Sequence, residues 1–144
     1  MEHKKTICFE IRTVANLIKR NVDKYAAKNY GSNLTEIQSW IIGYLYNNRG
    51  QDVFQRDIKS EFLIRRPTVT SILQTMEKNG LITRESMAFD ARLKKLLLTP
   101  KAMEIISVIE EEVERFETGL CSGVSEEELR TFFSVMDKLK KNLE

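Results

Sequence analysis

The sequence predicts a mainly α-helical fold with one small two-stranded β-hairpin, and three observations lead there. Apolar residues recur at three- and four-residue steps through six segments, the period shortens to two at a pair of short segments past the middle, and helix-starting and helix-ending residues stand at the segment edges. With 144 residues, 42% of them hydrophobic and 31% charged, the chain suits one domain that buries a core without disulfides or metals.

From the N-terminus, Ile7, Ile11, Val14, Ile18, Val22, Tyr25 and Ala26 form the stripe of one long helix, which Gly31 and Ser32 break. Thr35 followed by Gln38 has capping-box spacing, and Ile37, Trp40, Ile41, Tyr44 and Leu45 supply the buried face of a second helix ending near 47–50. A short third helix fits Gln55 to Phe62, with Ile58 and Phe62 inward. The fourth spans 65–78, with Pro67 in its first turn, Val69, Ile72, Leu73 and Met76 facing the core, and Asn79-Gly80 as its left-handed end. Leu81 to Glu85 and Lys94 to Thr99 are read as strands, joined by a loop over 86–93 with Asp90 and Arg92 near its tip. Thr99-Pro100 opens a fifth helix through Ile105, Ile109, Val113 and Phe116, and Gly119 to Gly123 interrupts it. Ser125 with Glu128, and Val124 against Leu129, start a sixth whose stripe is Leu129, Phe132, Phe133, Met136, Leu139 and Leu143.

Charge is segregated along this order. Residues 1–55 carry a net +3, residues 56–101 a net +5 and residues 102–144 a net −6, so a surface that meets a polyanion and a surface that avoids one are both built in. His3 is the one histidine, which leaves no Ser-His-Asp or Cys-His constellation and no two-histidine metal set; an enzyme, a metal site and a cofactor are not expected. Cys8 and Cys121 stand far apart with no CxxC, as in a reducing compartment. The longest charge-free stretch, Ile37 to Asn48, is twelve residues, and no secretory signal opens the chain. A soluble, cytoplasmic protein with no membrane partner is expected.

Two short helices joined by Leu63-Ile64-Arg65 and followed at once by a basic hairpin have the layout of a winged helix-turn-helix. The outer face of the fourth helix, Pro67, Thr70, Ser71, Gln74 and Lys78, carries small, amide or basic side chains and no acid, so it can approach base edges; Gln74 suits adenine N6 and N7. Arg65 and Arg66 sit at the positive end of a helix dipole, where arriving phosphates offset the cost of placing cations. Arg92 suits the narrow minor groove, Lys94 and Lys95 suit the DNA backbone, and Asp90 holds the loop or the arginine, since phosphate repels a carboxylate.

The stretch Val53 to Thr99 resembles the MarR family of bacterial and archaeal winged-helix transcriptional regulators. The likeness lies in Thr68-Val69-Thr70, in the run from Met76 to Ile82, and in Asp90-Ala91-Arg92 followed by Leu96-Leu97-Leu98-Thr99. The order of helices on both sides extends it over nearly the whole chain. The chain departs from the family pattern at Leu63, where glycine is usual, at Lys59, where a small residue is usual, and at Pro67, where serine is usual.

The resemblance implies a single domain over 1–144, with a DNA-binding lobe over 35–100 and N- and C-terminal dimerisation helices over 1–30 and 101–144. It implies a homodimer that sets one fourth helix, with Thr68 in it, into each of two successive major grooves of a pseudo-palindromic double-stranded operator. It also implies a repressor released by a small aromatic or drug-like effector. Tyr25, Trp40, Tyr44 and Phe116 stand at helical spacing and are read as core, so no ligand site is assigned. Two alternatives remain open: a redox-sensing regulator acting through Cys8, and a winged helix that binds protein rather than DNA.

Overall fold

The computed structural model describes residues 5–30 and 34–144, without the side chains of 26–30. The elements run α1 (Ile7–Tyr30), α2 (Glu36–Asn47), α3 (Gln55–Phe62), α4 (Arg66–Lys78), β1 (Ile82–Met87), β2 (Asp90–Leu98), α5 (Pro100–Leu120) and α6 (Glu126–Leu143). This is the mainly helical fold with a two-stranded wing that the sequence predicts. His3, the Ala26 side chain and the Gly31-Ser32 break lie outside the described residues.

Local chemistry places most boundaries. Thr35 accepts from Gln38 N–H through its hydroxyl, and the Gln38 side chain accepts from Thr35 N–H at 3.1 Å, so the buried amide of Gln38 is spent on starting α2. The Asp57 carboxylate accepts from Phe54 N–H at 2.8 Å and starts α3 with half of such a box, since the Phe54 side chain has no acceptor. Gly80, at φ +71°, ends α4 while Leu81 N–H returns to Met76 O at 2.9 Å.

The core gathers Ile41, Ile42 and Leu45 of α2, Ile58 of α3, Val69, Leu73 and Met76 of α4, Ile82 and Leu96 of the wing, and Ile106 and Ile109 of α5. Two expectations shift by one helical step. Trp40 is half exposed while Ile42 is fully buried, because Gln38, Ile41, Ile42 and Leu45 define the inward face of a helix that is apolar almost all round. On α5 the inward face is Ala102, Ile106 and Ile109, and Val113 is exposed.

The hairpin is longer than expected. Ile82 pairs with Leu98 and the ladder continues to Ser86 opposite Lys94, after which Met87 pairs with Asp90. Ala88-Phe89 is therefore the apex, and Ala91-Arg92-Leu93 bulges out of β2. Asp90 and Arg92 thus belong to a strand beside the apex rather than to a loop tip. The wing is joined to the helices by Leu96 N–H on Val53 O at 2.8 Å and by the isolated bridge between Phe54 and Lys95. Thr99 closes the hairpin: its hydroxyl donates to Gly80 O at 2.6 Å and accepts from Ala102 N–H at 3.2 Å, starting α5.

The chain forms two compact units, 1–109 and 110–144. In the second, Ser125 and Glu128 close a reciprocal capping box at 3.1 and 2.8 Å, as expected, and α6 buries none of its side chains. In the first, α1 exposes Ile7, Phe9, Ile11, Val14 and Leu17.

Leu63 joins α3 to α4 at φ 51°, ψ 44°, a left-handed conformation that costs a residue with a β-carbon about 1–2 kcal/mol. Its side chain is largely exposed and supplies little packing in return. Glycine carries an entropic cost of about 0.5–1 kcal/mol, so Leu63→Gly is expected to stabilise the protein by about 0.5–1 kcal/mol. A urea melt with a lower midpoint would contradict this.

Candidate nucleic-acid interface

The turn at Leu63 sends α4 away from α3 with its first turn uncapped by any side chain. Arg65 occupies the capping position in an extended conformation, Pro67 sits in the first turn, and no acidic residue stands there. The free N–H groups at this end and the guanidinium groups of Arg65 and Arg66, both exposed, share one edge of the unit. Along the outer face, Thr68, Ser71, Gln74 and Lys78 are exposed and opposite the buried row Val69, Leu73 and Met76. Pro67 is exposed beside them.

Thr70 differs from its neighbours. Its hydroxyl donates to Arg66 O at 2.9 Å and accepts from Gln55 Nε2 at 2.7 Å, so both hydroxyl functions are engaged inside the protein. Thr70 ties α4 to the start of α3, and Gln55 is the partner that sequence reading missed. Fifteen residues of separation hide such a pair from any local pattern.

Between α3, the first turns of α4 and the wing lies a groove of about 550 Å³. Arg56 and Lys59 of α3, Arg66 of α4, Arg84 of β1, and Arg92 and Lys94 of β2 all line it, together with Gln55 and Thr70 and without any carboxylate. Six cations around one concave surface produce a strongly positive potential. Sequence reading singled out Arg66, Arg92 and Lys94 of these and missed Arg56, Lys59 and Arg84. The three-residue step between Arg56 and Lys59 is a signal that they share a face of α3. Arg56 lies over the Phe54 ring at 5.1 Å.

Arg84 is the most confined of the six. Its Nε forms an ion pair with Glu77 Oε2 at 3.6 Å, too long for a hydrogen bond, and Nε and Nη2 are buried with no hydrogen-bond partner among the described residues. Glu77 thus offsets part of the Arg84 charge from the α4 side, and the guanidinium keeps donors that an acceptor in the groove can meet.

The bulge in β2 aims Arg92 into this groove, and Asp90 Oδ1 accepts from Arg92 N–H at 2.9 Å, fixing the backbone on which Arg92 is carried. Lys95 points elsewhere. Alternation along β2 turns it away from Lys94, and its ammonium pairs with Asp52 Oδ1 at 2.8 Å. The hydrogen bond and the charge of Asp52 hold the Lys95 pKa above its ordinary value, so it braces the wing against the α2–α3 connection. Cys8 is exposed on α1 and Cys121 is half-buried. No described helix is long and apolar enough to cross a membrane.

Comparison with known proteins agrees with this geometry. A family model described as MarR family matches residues 32–93. The chain is similar to S. aureus MepR in its complex with DNA, with 26% identity, a TM-score of 0.88, and 98% of this chain and 100% of that one covered. It is similar to the transcription regulator MarR from Oenococcus oeni PSU-1, with 30% identity, a TM-score of 0.82, and 94% and 99% covered. It is also similar to the heme sensor protein PefR from Streptococcus agalactiae in complex with heme, with 25% identity, a TM-score of 0.67, and 96% and 95% covered.

Proposed function

Because the chain belongs to the MarR family, we propose that it is a sequence-specific regulator that binds double-stranded DNA as a homodimer and represses transcription until a small-molecule effector releases it. The observation that carries this reading is the groove lined by six cations and no carboxylate, set beside the exposed row Thr68, Ser71, Gln74 and Lys78 of α4. Phosphates take the end of α4, where Arg65, Arg66 and uncapped N–H groups meet them, while Lys94, Arg56 and Lys59 hold the flanking backbone. Gln74, Ser71 and Thr68 then face base edges in the major groove, and Thr70 sets the angle of α4 rather than reading a base. Arg92 reaches the adjacent minor groove from the bulge. The exposed apolar faces of α1 and α6 support the homodimer, whose two-fold axis calls for a pseudo-palindromic operator.

Fluorescence anisotropy with labelled duplex from upstream of the protein's own gene, against scrambled duplex and at several salt concentrations, tests the reading. Preferential binding with a steep salt dependence is expected, and weak, equal binding to both duplexes would count against it. Arg92→Ala is expected to weaken binding to the upstream duplex by about 1–3 kcal/mol with the fold intact by circular dichroism. Unchanged affinity would remove Arg92 from the interface.

A further inference from the structure

We propose that Phe89, at the apex of the wing, seats in the minor groove of bound DNA as an apolar contact. The wing then engages DNA through two chemistries, the Phe89 ring in front and the cations of β2 behind it. The inference rests on the DNA-binding reading and names a contact within it.

Three features of the apex point this way. The pairing of Met87 with Asp90 leaves Ala88-Phe89 as a two-residue turn, so Phe89 stands at the point where the hairpin reverses. Phe89 is 75% exposed, so its ring is not there to fill the core. The nearest carboxylate, Asp90, is turned back onto Arg92 N–H, which leaves the ring as the leading group of the hairpin. A lone exposed aromatic on a helix flank needs no explanation, but this one stands at the leading point of a hairpin whose flanking strand carries cations.

The charge behind the ring selects the occupant. Arg92 and Lys94 follow on β2, and both line the basic groove that runs back to α4. A surface that is apolar at its point and cationic at its shoulders complements a slot with apolar walls between two rows of anions. The minor groove has that form: deoxyribose faces line a cleft about 6 Å wide, with phosphates along both edges. A two-residue apex is narrow enough to enter it, and apolar side chains are a recurrent way of holding such a groove. The contact favours flanking A·T-rich sequence, whose narrow groove closes on a flat ring and draws the neighbouring arginine.

The test separates this contact from the charged ones by its salt dependence. Full-length wild type, Phe89→Ala, Phe89→Trp and Arg92→Ala are titrated into the upstream duplex by anisotropy over a range of potassium chloride concentrations. Phe89→Ala is expected to lose affinity roughly tenfold, as for one aromatic contact, with the slope of log affinity against log salt unchanged. Phe89→Trp is expected to retain binding within a few-fold, and Arg92→Ala to reduce the slope by about one. Wild-type binding combined with undiminished binding by Phe89→Ala overturns the proposal and leaves the DNA-binding reading standing. A Phe89→Ala loss that comes with a shallower slope also overturns it. So does a lower mass of Phe89→Ala in light scattering without DNA, since the ring would then be a contact between copies of the chain. Failure of the wild type to prefer the upstream duplex removes the underlying reading instead.

Discussion

Replacing Leu73 with alanine is expected to cost about 2–5 kcal/mol of folding stability, the range for truncating a fully buried leucine. Leu73 is wholly excluded from solvent on the inner face of α4, in the cluster that includes Ile41, Ile58, Met76, Ile82 and Leu96. Total stabilities of about 5–15 kcal/mol make this a large fraction. At fixed protein concentration, the urea midpoint should fall by roughly 1–2 M. DNA affinity of the folded fraction should hardly change, since the truncated side chain points away from Ser71 and Gln74. A cost below 1 kcal/mol would mean that the site collapses around the smaller residue and that the packing of α4 is not what fixes its position.

Ending the chain at Val124 is expected to have a still larger effect, because it removes the whole of α6. That helix buries none of its side chains within its own chain, and Phe132, Phe133, Val135 and Leu143 are all exposed. Phe132 and Phe133 meet edge to face at 5.5 Å and belong to the exposed apolar side of the helix. A second chain covering this surface and that of α1 is the economical explanation. Size-exclusion chromatography with light scattering should give twice the chain mass for the full protein and aggregate or monomer for the shortened one. A soluble dimer without α6 would place the interface elsewhere.

The features legible in the sequence were those set by neighbours within a turn or two. Thr35 with Gln38, Ser125 with Glu128, Thr99 before Pro100, and Gly80 after α4 each act over at most three residues, and each lies where it was expected. The buried row of α4 was also readable, because one face alone is apolar. On α2 both flanks are apolar, and periodicity could not choose between Trp40 and Ile42. The wing was under-read because Met87 to Leu93 does not alternate: the bulge at Ala91–Leu93 breaks the period of two that marks a strand. The site depended most on distant pairing. Nothing near Lys95 in sequence announces Asp52, nothing near Thr70 announces Gln55, and Arg84 between Thr83 and Glu85 reads as one more solvent-facing strand residue.

The Thr99 hydroxyl has a mechanical meaning. It touches the end of α4 through Gly80 O and the start of α5 through Ala102 N–H, while Thr99 N–H holds Leu81 O and Lys101 Nζ holds Asn79 O at 2.9 Å. Four elements meet there without a flexible linker, so the opening turns of α5 and the outer face of α4 are geared together. Thr99 and Lys101 are accordingly where slack can be introduced into that gear without altering the buried core or the surface offered to DNA.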